Sequence, residues 1–478
     1  MTPAFVPRSA RGAALLVLAF LLALPAVTTR IYASDEIQYF AFLRSVWFDH
    51  DLSFDNEYRA FYDAGVAHVE GFRQTYLEPV TPTGHRINFG TVGPALLWAP
   101  FYGAADVYVK VMHGQEARGA EGYSSPYIAA VCYASAFYGL CALLLSIQIT
   151  RRFGPADPAS AAAIWIGTPL LFYMYVAPAM AHAVSAFAVA LVLYTWLRVR
   201  DRLSRRGLIL LAASAALVPM VREQDAFVLL GPAIDIVRVG LRALRLPARR
   251  REVATSVALG ALTCLLVYSP QIIAYEILYG HFGPSKLVSR KMTWTSPHFL
   301  QVLISPLHGF FLWTPLAVVA LLGFAVLFMP FDREPPHPMP DRRWVVFCLL
   351  LSTLAEVYVA GSVESWTVAG AFGQRRFVCL TAILVLTLSA VRGWTRQRSH
   401  RAWRVALHAL IVVFVWWNLA LTAEFGANLM NRQHLDLRDN AYEAFVVLPR
   451  SAPGLAYRYL FERSSFYQTG SGSAAADH

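Results

Sequence analysis

Charge is scarce in this chain. Asp, Glu, Lys and Arg together make up 15% of 478 residues, against 57% hydrophobic residues. A soluble protein of this length needs far more charge to cover its surface, so soluble globular domains are excluded. Disordered, collagen-like and coiled-coil chains are excluded on the same ground. Cysteine is also sparse: Cys132, Cys141, Cys264, Cys348 and Cys379 all sit in apolar runs without a C-x-x-C spacing. They read as small core hydrophobes, implying neither a disulfide framework nor a zinc knot. Lysine is rarer still, at Lys110, Lys286 and Lys291 only, and no repeat of fixed period is visible.

What is abundant is apolar length. Mean hydropathy is +0.46. Apolar runs centre on residues 13–33, 127–150, 158–178, 183–197, 207–221, 226–241, 253–276, 309–329, 344–361, 377–391 and 404–422. Continuous runs of roughly 20 residues are the mark of bilayer-crossing helices, whereas a membrane barrel alternates. The expectation is an all-α polytopic membrane protein with about eleven transmembrane helices. Residues 1–33 form the first anchor, with Arg8 and Arg11 ahead of it. Residues 34–124 form a large first external loop, and residues 125–422 the helix bundle, with external loops near 277–308 and 361–376. Residues 423–478 form an external tail whose Gly/Ser/Ala-rich end, Thr469 to His478, is expected to be disordered.

The stretch from Phe89 to Met112 is apolar but broken by Gly90, Gly93, Pro94, Pro100, Gly103 and Asp106. A crossing there would flip every later loop. Arginine placement favours the interface instead. With eleven spans, 23 of the 41 basic residues fall in short inner loops, and all three lysines fall outside. The net charge of +11 is therefore read as positive-inside bias, with a cytoplasmic N-terminus, an external C-terminus and no nucleic-acid partner.

Polar chemistry gathers on the outer face. Ser34-Asp35-Glu36 opens a segment in which Ile37, Phe40, Leu43 and Trp47 recur at helical spacing. This predicts an amphipathic interfacial helix capped by Ser34, with Asp35 and Glu36 in its first turn, where the helix dipole favours carboxylates. Such a carboxylate can take a proton from a hydroxyl, or it can be a plain acidic first turn. Asp49, Asp51, Asp55 and Glu57 read as solvated loop acids, since no glycine-anchored calcium loop accompanies them. Asp235 reads as an ion pair with Arg238 or Arg242, or as a proton-path residue.

Several segments share a pattern. They are Asp35-Glu36 with Tyr39 after the first span; Asn88-Phe89-Gly90 through Pro100-Phe101; Ala181-His182-Ala183; His308-Gly309-Phe310-Phe311-Leu312-Trp313-Thr314-Pro315; and Phe372-Gly373-Gln374-Arg375-Arg376-Phe377. In order and placement, over about residues 12–425, they resemble the GT-C membrane glycosyltransferases. That superfamily includes the protein O-mannosyltransferases, the aminoarabinose transferases and bacterial family 39-like members. The resemblance implies a GT-C-like fold with juxtamembrane helices in the first external loop. It implies a bacterial inner-membrane location and a polyprenyl-phosphate-linked sugar donor. It further implies inverting transfer to an acceptor hydroxyl of a glycan, lipid or protein, with Asp35 as base and Glu36 in support. Where several members carry a phosphate-binding lysine before prolines, this chain has Arg86, so either Arg86 takes the role or the role has moved.

A departing phosphate calls for cations, and arginine forks match its oxygens. Arg375, Arg376, Arg222 and Arg86 are candidates, with His308 as a further phosphate contact and Tyr39, Asn88 and His182 lining the substrate cavity. Arg375-Arg376 reads equally as a lipid-headgroup contact, and Lys286 with Arg290 and Lys291 reads better so. His182, His281 or His308 with Glu36 or Glu223 form the alternative, a divalent-cation site, although a lone interfacial histidine is more often only hydrogen-bonded and no metal-ligand set is assigned. The rival functions are transport or flipping of a lipid-linked glycan, and a non-catalytic assembly role; no doubled halves are visible.

The topology is testable by cysteine labelling on a background without native cysteines. Cysteines at positions 60 and 290 should react with an impermeant reagent from outside, and those at 203 and 248 should not. Labelling at 248 with protection at 290 would mean that residues 89–112 cross the membrane.

Overall fold

A computed structural model describes residues 8–66, 71–113, 122–330, 339, 341–368, 370–398 and 400–466. The expected disordered end, Thr469 to His478, lies outside these residues. Among the described residues the chain is helical, with one isolated antiparallel bridge between Met292 and Val363 and no strand. Six helices are long and apolar enough to cross a membrane: Ser125–Thr150, His182–Val199, Pro247–Tyr279, Arg342–Ser362, Arg375–Arg398 and Arg401–Gly426. The molecule is thus an all-helical membrane protein. Ala10–Ala26 and Leu316–Phe328 are apolar but shorter.

In chain order the elements used below are α1 (Arg8–Ala23), α2 (Ser34–Arg44), α3 (Asp55–Asp63), α4 (Val92–His113), α5 (Ser125–Thr150), α6 (Pro158–Ile166), α7 (Leu170–Tyr175), α8 (His182–Val199), α9 (Arg205–Val221), α10 (Leu230–Leu244), α11 (Arg250–Tyr279), α12 (Leu316–Leu321), α13 (Gly323–Phe328), α14 (Arg342–Ser362), α15 (Thr381–Arg398), α16 (Arg401–Gly426) and α17 (Leu448–Phe461).

Three runs expected as continuous spans are interrupted. Residues 158–178 divide into α6 and α7 at Gly167-Thr168-Pro169, where proline removes a backbone donor. The freed carbonyl of Ile166 accepts from Asn418 Nδ2 of α16 at 2.8 Å, and the same amide reaches, at 3.1 Å, the Thr168 carbonyl, which also accepts from the Leu171 N–H. Away from water such carbonyls need a partner, and a buried asparagine in an apolar helix supplies it. Residues 226–241 begin as a 3₁₀ turn, Glu223–Leu229, before α10. Residues 309–329 break at Thr314-Pro315 and again between α12 and α13.

The arginines assigned to short inner loops meet at one end of the bundle. Arg152 after α5 pairs with Asp201 after α8. Arg200 pairs with Asp235 of α10 at 2.7 Å, and Arg238 and Arg242 share Asp341 ahead of α14, at 3.1 and 2.9 Å. Arg392 of α15 holds Asp157 ahead of α6 at 2.7 Å. Asp235 therefore forms an ion pair as expected, but with Arg200; Arg238 and Arg242 serve Asp341. Its other contacts are the indole N–H groups of Trp196 and Trp344, both at 2.9 Å, so this buried carboxylate is fully engaged.

The ambiguous stretch 89–112 folds as α4, which stays toward the opposite end. Its start touches the end of α9 farthest from Arg205. The Thr91 hydroxyl donates to the Val221 carbonyl at 2.8 Å, and a Cβ on Gly93 would overlap the Met220 backbone. Farther along, Leu97 accepts from the Tyr138 hydroxyl and Asp106 from the Tyr127 hydroxyl, at 2.9 and 2.8 Å. α4 thus runs antiparallel along the first half of α5, away from Arg151.

Under α4 the first loop is packed rather than spread on a surface. α2 is buried on nearly all sides, Arg44 included, so it is not the one-sided interfacial helix expected. The acids read as solvated are structural partners. Arg44 pairs with Asp49 and, at 3.0 Å, with the buried Glu57. Asp51 accepts from Ser45 Oγ at 2.8 Å, and Asp55 pairs with Arg59 and Arg86 at 2.6 and 2.7 Å.

Asp235→Ala would leave the buried Arg200 its longer, 3.3 Å contact to Asp201, and should cost about 3 kcal/mol, the low end for a broken buried pair. Asp341→Ala removes a partly exposed acid and should cost under about 1 kcal/mol. Thermal unfolding in detergent distinguishes the two.

Candidate active site

The N-terminus of α2 places the two acids differently. The residue ahead of the helix is Ala33, with extended backbone at φ −102°, ψ 148°, so Ser34 is the first helical residue and not the cap. Glu36 turns back instead. Its Oε2 accepts from the backbone N–H groups of Tyr32 and Ala33, at 2.9 and 3.1 Å, taking up two donors at the helix start. Its Oε1 is buried without a partner, and burial pushes the carboxyl up to about 7. Asp35 is left half-buried, and its Oδ2 accepts from Arg375 Nη1 at 2.7 Å. The two residues are 340 positions apart in the chain.

Arg375 arrives through a backbone device. Gly373 adopts φ +56°, in the left-handed region that favours glycine. Gln374 Nε2 then donates to the carbonyls of His308 and Trp366, at 3.3 and 3.1 Å. The chain enters a 3₁₀ turn, Arg375–Leu380, from which the two arginines diverge. Arg375 reaches Asp35, while the buried Arg376 donates to the Ser365 carbonyl at 3.0 Å and to its hydroxyl at 3.4 Å.

Arg222 leaves the end of α9 in extended conformation and lies 3.4 Å from Asp225, which also accepts from Ser185 Oγ. Tyr39, one turn after Asp35, feels the same charges. Burial pushes its phenol up to about 12, while Arg222 and Arg375 pull the other way. Glu356 of α14 is fully buried with neither carboxylate oxygen bonded. The ligand atoms of Asp225, Glu356 and Cys379 lie within 4.8 Å of one another. Two carboxylates and a thiol are a donor set suited to a borderline divalent ion. With Arg222 and Arg376 acting on Glu356, however, two acids already face two bases. The sequence reading passed over Asp225, Glu356 and the position of Cys379. Glu356 was detectable, as an acid inside the apolar run 344–361.

Other expected site residues are placed elsewhere. Arg86 is taken up by Asp55 and by the carbonyls of Glu78 and Pro79, the latter two at 3.3 Å, so it braces the first loop. Asn88 is buried and spent on backbone: Nδ2 donates to the Gln38 carbonyl, and Oδ1 accepts from the Gly90 N–H. It splints α2 to the segment before α4. His308 has φ +63°, is fully buried and stacks on Trp313 with ring centroids 4.7 Å apart. Burial pushes its imidazole down to about 4, so at neutral pH it brings no charge to a phosphate. His182 is buried against Tyr173, at 4.4 Å between centroids, near Arg222, Arg375 and Arg376. The histidine metal set is not assembled. Glu223 is bonded by the Tyr275 hydroxyl, and the one group of three metal-capable side chains found among the described residues includes no histidine. Lys286 and Arg290 stand on a separate exposed turn.

The side chains that converge are thus Asp35, Arg375, Arg222, Arg376, Tyr39, Asp225, Glu356 and His182, drawn from both halves of the chain. The arrangement has the form of a polar centre built on broken helix ends in a membrane protein. No protein-family model matches this chain, and no curated protein matches it.

The raised carboxyls set a pH dependence. Glu36 and Glu57, both pushed from 4.5 to about 7 by burial, keep their protons in the folded chain after the unfolded chain has lost them. Their contribution to stability should therefore fall as pH rises from about 4.5 to about 7. Unfolding midpoints across that window should show a shallower slope in Glu36→Gln than in the parent.

Proposed function

We propose that this protein is a GT-C-type glycosyltransferase. It moves a sugar from a polyprenyl-phosphate carrier to an acceptor hydroxyl at the outer membrane face, within an eleven-span fold of the bacterial inner membrane. One observation carries the reading: Asp35, in the first turn of α2, is held 2.7 Å from Arg375, with Arg222 and Arg376 within electrostatic reach. A base and a set of phosphate-matching cations therefore share one place. The arginine-rich end of the bundle lies opposite, which supports an outward-facing site under the positive-inside rule.

The reaction follows from that pairing. In the resting state Arg375 satisfies Asp35. A donor phosphate competes for the guanidinium, since arginine forks match phosphate oxygens. Asp35 is then free to accept the acceptor's proton as its oxygen bonds to the anomeric carbon. The carbon–oxygen bond to the phosphate breaks, and the electron pair leaves with the lipid phosphate, whose growing charge the arginines stabilise. A single displacement inverts the anomeric centre, as in other one-step glycosyl chemistry. Glu36 acts by pinning the turn that presents Asp35.

Asp35→Asn should insert and fold normally yet lose about 10²–10⁴ in transfer rate, measured with a polyprenyl-phosphate sugar donor. Glu36→Gln should lose less. Arg375→Gln with Arg376→Gln should weaken donor use by about 1.5–3 kcal/mol per lost contact, and lysine should rescue poorly. Full transfer by Asp35→Asn would discard the reading and bring forward carriage of a lipid-linked glycan. Comparing lipids and glycans of a deletion strain would identify the acceptor.

A further inference from the structure

A separate cavity, of about 250 Å³, lies where the N-terminal and C-terminal parts of the chain meet. Three cations line it, Arg30, Arg432 and Arg463, and among the described residues no carboxylate does. Its walls are largely aromatic, including Tyr32, Phe425 and Phe466. None of the converging residues around Asp35 lines it, so it is a separate site.

The cavity is built from chain ends that nothing local would bring together. Arg463 is anchored, donating to the carbonyls of Val27 and Pro25, both at 2.8 Å, and lying over the Tyr459 ring at 4.6 Å. The Tyr459 hydroxyl of α17 donates to the Ala26 carbonyl at 3.0 Å. These bonds latch α17 to the end of the first apolar segment. They use the donors of Arg463 on carbonyls, which leave its positive charge unneutralised. Arg432 lies over the Phe425 ring at 4.8 Å and gives Nη2 to the Phe425 carbonyl at 3.2 Å, in an exposed position. Of the neighbouring acids, Glu36 has Oε2 engaged by the backbone N–H groups of Tyr32 and Ala33, and Glu424 has Oε2 engaged by Asn440.

We infer that this cavity binds the phosphate headgroup of an anionic lipid. Three observations converge on an amphiphile. The cations ask for an anion, and arginine suits phosphate. The aromatic walls ask for apolar contact beside it. The cavity also sits at the ends of two apolar helical stretches, Ala10–Ala26 and Arg401–Gly426, where the headgroup layer of a bilayer lies. At about 250 Å³ it falls below the roughly 300–1,000 Å³ of pockets that enclose a drug-sized ligand. It therefore takes a headgroup and leaves the acyl chains outside, along exposed apolar residues such as Leu18 and Leu22 of α1. This inference stands whether or not the protein transfers sugars.

Native mass spectrometry of the delipidated full-length protein tests it, with phosphatidylglycerol, diacylglycerol and glycerol phosphate as separate probes. One phosphatidylglycerol should bind, diacylglycerol should not, and glycerol phosphate should bind far more weakly. Arg432→Gln and Arg30→Gln should each weaken phosphatidylglycerol binding about tenfold or more. Arg432→Lys, which keeps the charge, should lose less, and an unchanged unfolding midpoint in Arg432→Gln confirms an intact fold. Arg463 is left alone because its replacement would unlatch α17. Diacylglycerol binding as tightly as phosphatidylglycerol, or unchanged binding in both glutamine variants, would overturn the inference. Glycerol phosphate binding as tightly as the lipid would replace it with a soluble-anion site.

Discussion

Hydrocarbon offers no hydrogen bonds, and every interruption of a helix in this protein has to be answered from within. That constraint organises the structure. Where Pro169 breaks α6 from α7, Asn418 of α16 donates to the Ile166 and Thr168 carbonyls. Where Gly373 turns the chain into the 3₁₀ segment at Arg375, Gln374 braces the turn against two carbonyls. The breaks fall near helix ends, where side chains from several helices can reach them. The same breaks open the room in which Arg375, Arg222 and Asp35 meet.

Charge is handled in two layers with different characters. At one end, Asp157, Asp201, Asp235 and Asp341 neutralise loop arginines, and Asp235 is fully engaged by Arg200 and two tryptophans. Such pairs tie loops together and leave nothing over for a ligand. At the other end acids and bases balance in number, but they are not all bonded to one another. Glu356 is buried with both oxygens unbonded, and Arg376 spends itself on a serine rather than an acid. Asp35 and Arg375 form a pair that is partly exposed. A half-buried pair with one face open can be reached by a competing anion, whereas a fully buried one is costly to open. The physical difference between the two layers is why the second one is where chemistry is sought.

Much of the architecture was legible in the sequence, because long apolar runs and arginine placement are one-dimensional signals. The all-helical fold and the gathering of the loop arginines needed nothing else, and neither did the acidic first turn at Asp35. Breaks at Gly167–Pro169 and Thr314–Pro315 were readable in principle from proline, yet the apolar runs masked them. Local pattern misled where burial decided the outcome. Ile37, Phe40 and Leu43 suggested a surface helix, but α4 covers the rest of α2. Asp49 and Glu57 have the local pattern of solvated acids, but Arg44 bridges them.

What the sequence by itself determined is which residues cannot face water and which end of each helix carries excess positive charge, since both depend on transfer free energies of single side chains. What only the tertiary structure decided is partnership. Arg86 and Arg375 are equal as arginines in a chain, but Asp55 claims one and Asp35 the other. His308 and His182 are equal as histidines near helix ends, but one is sealed against Trp313 and the other lies beside three arginines. Ion pairs and ring stacks act over a few ångströms, and sequence separations such as the 340 positions between Asp35 and Arg375 carry no trace of such distances. The fold alone brings them into range.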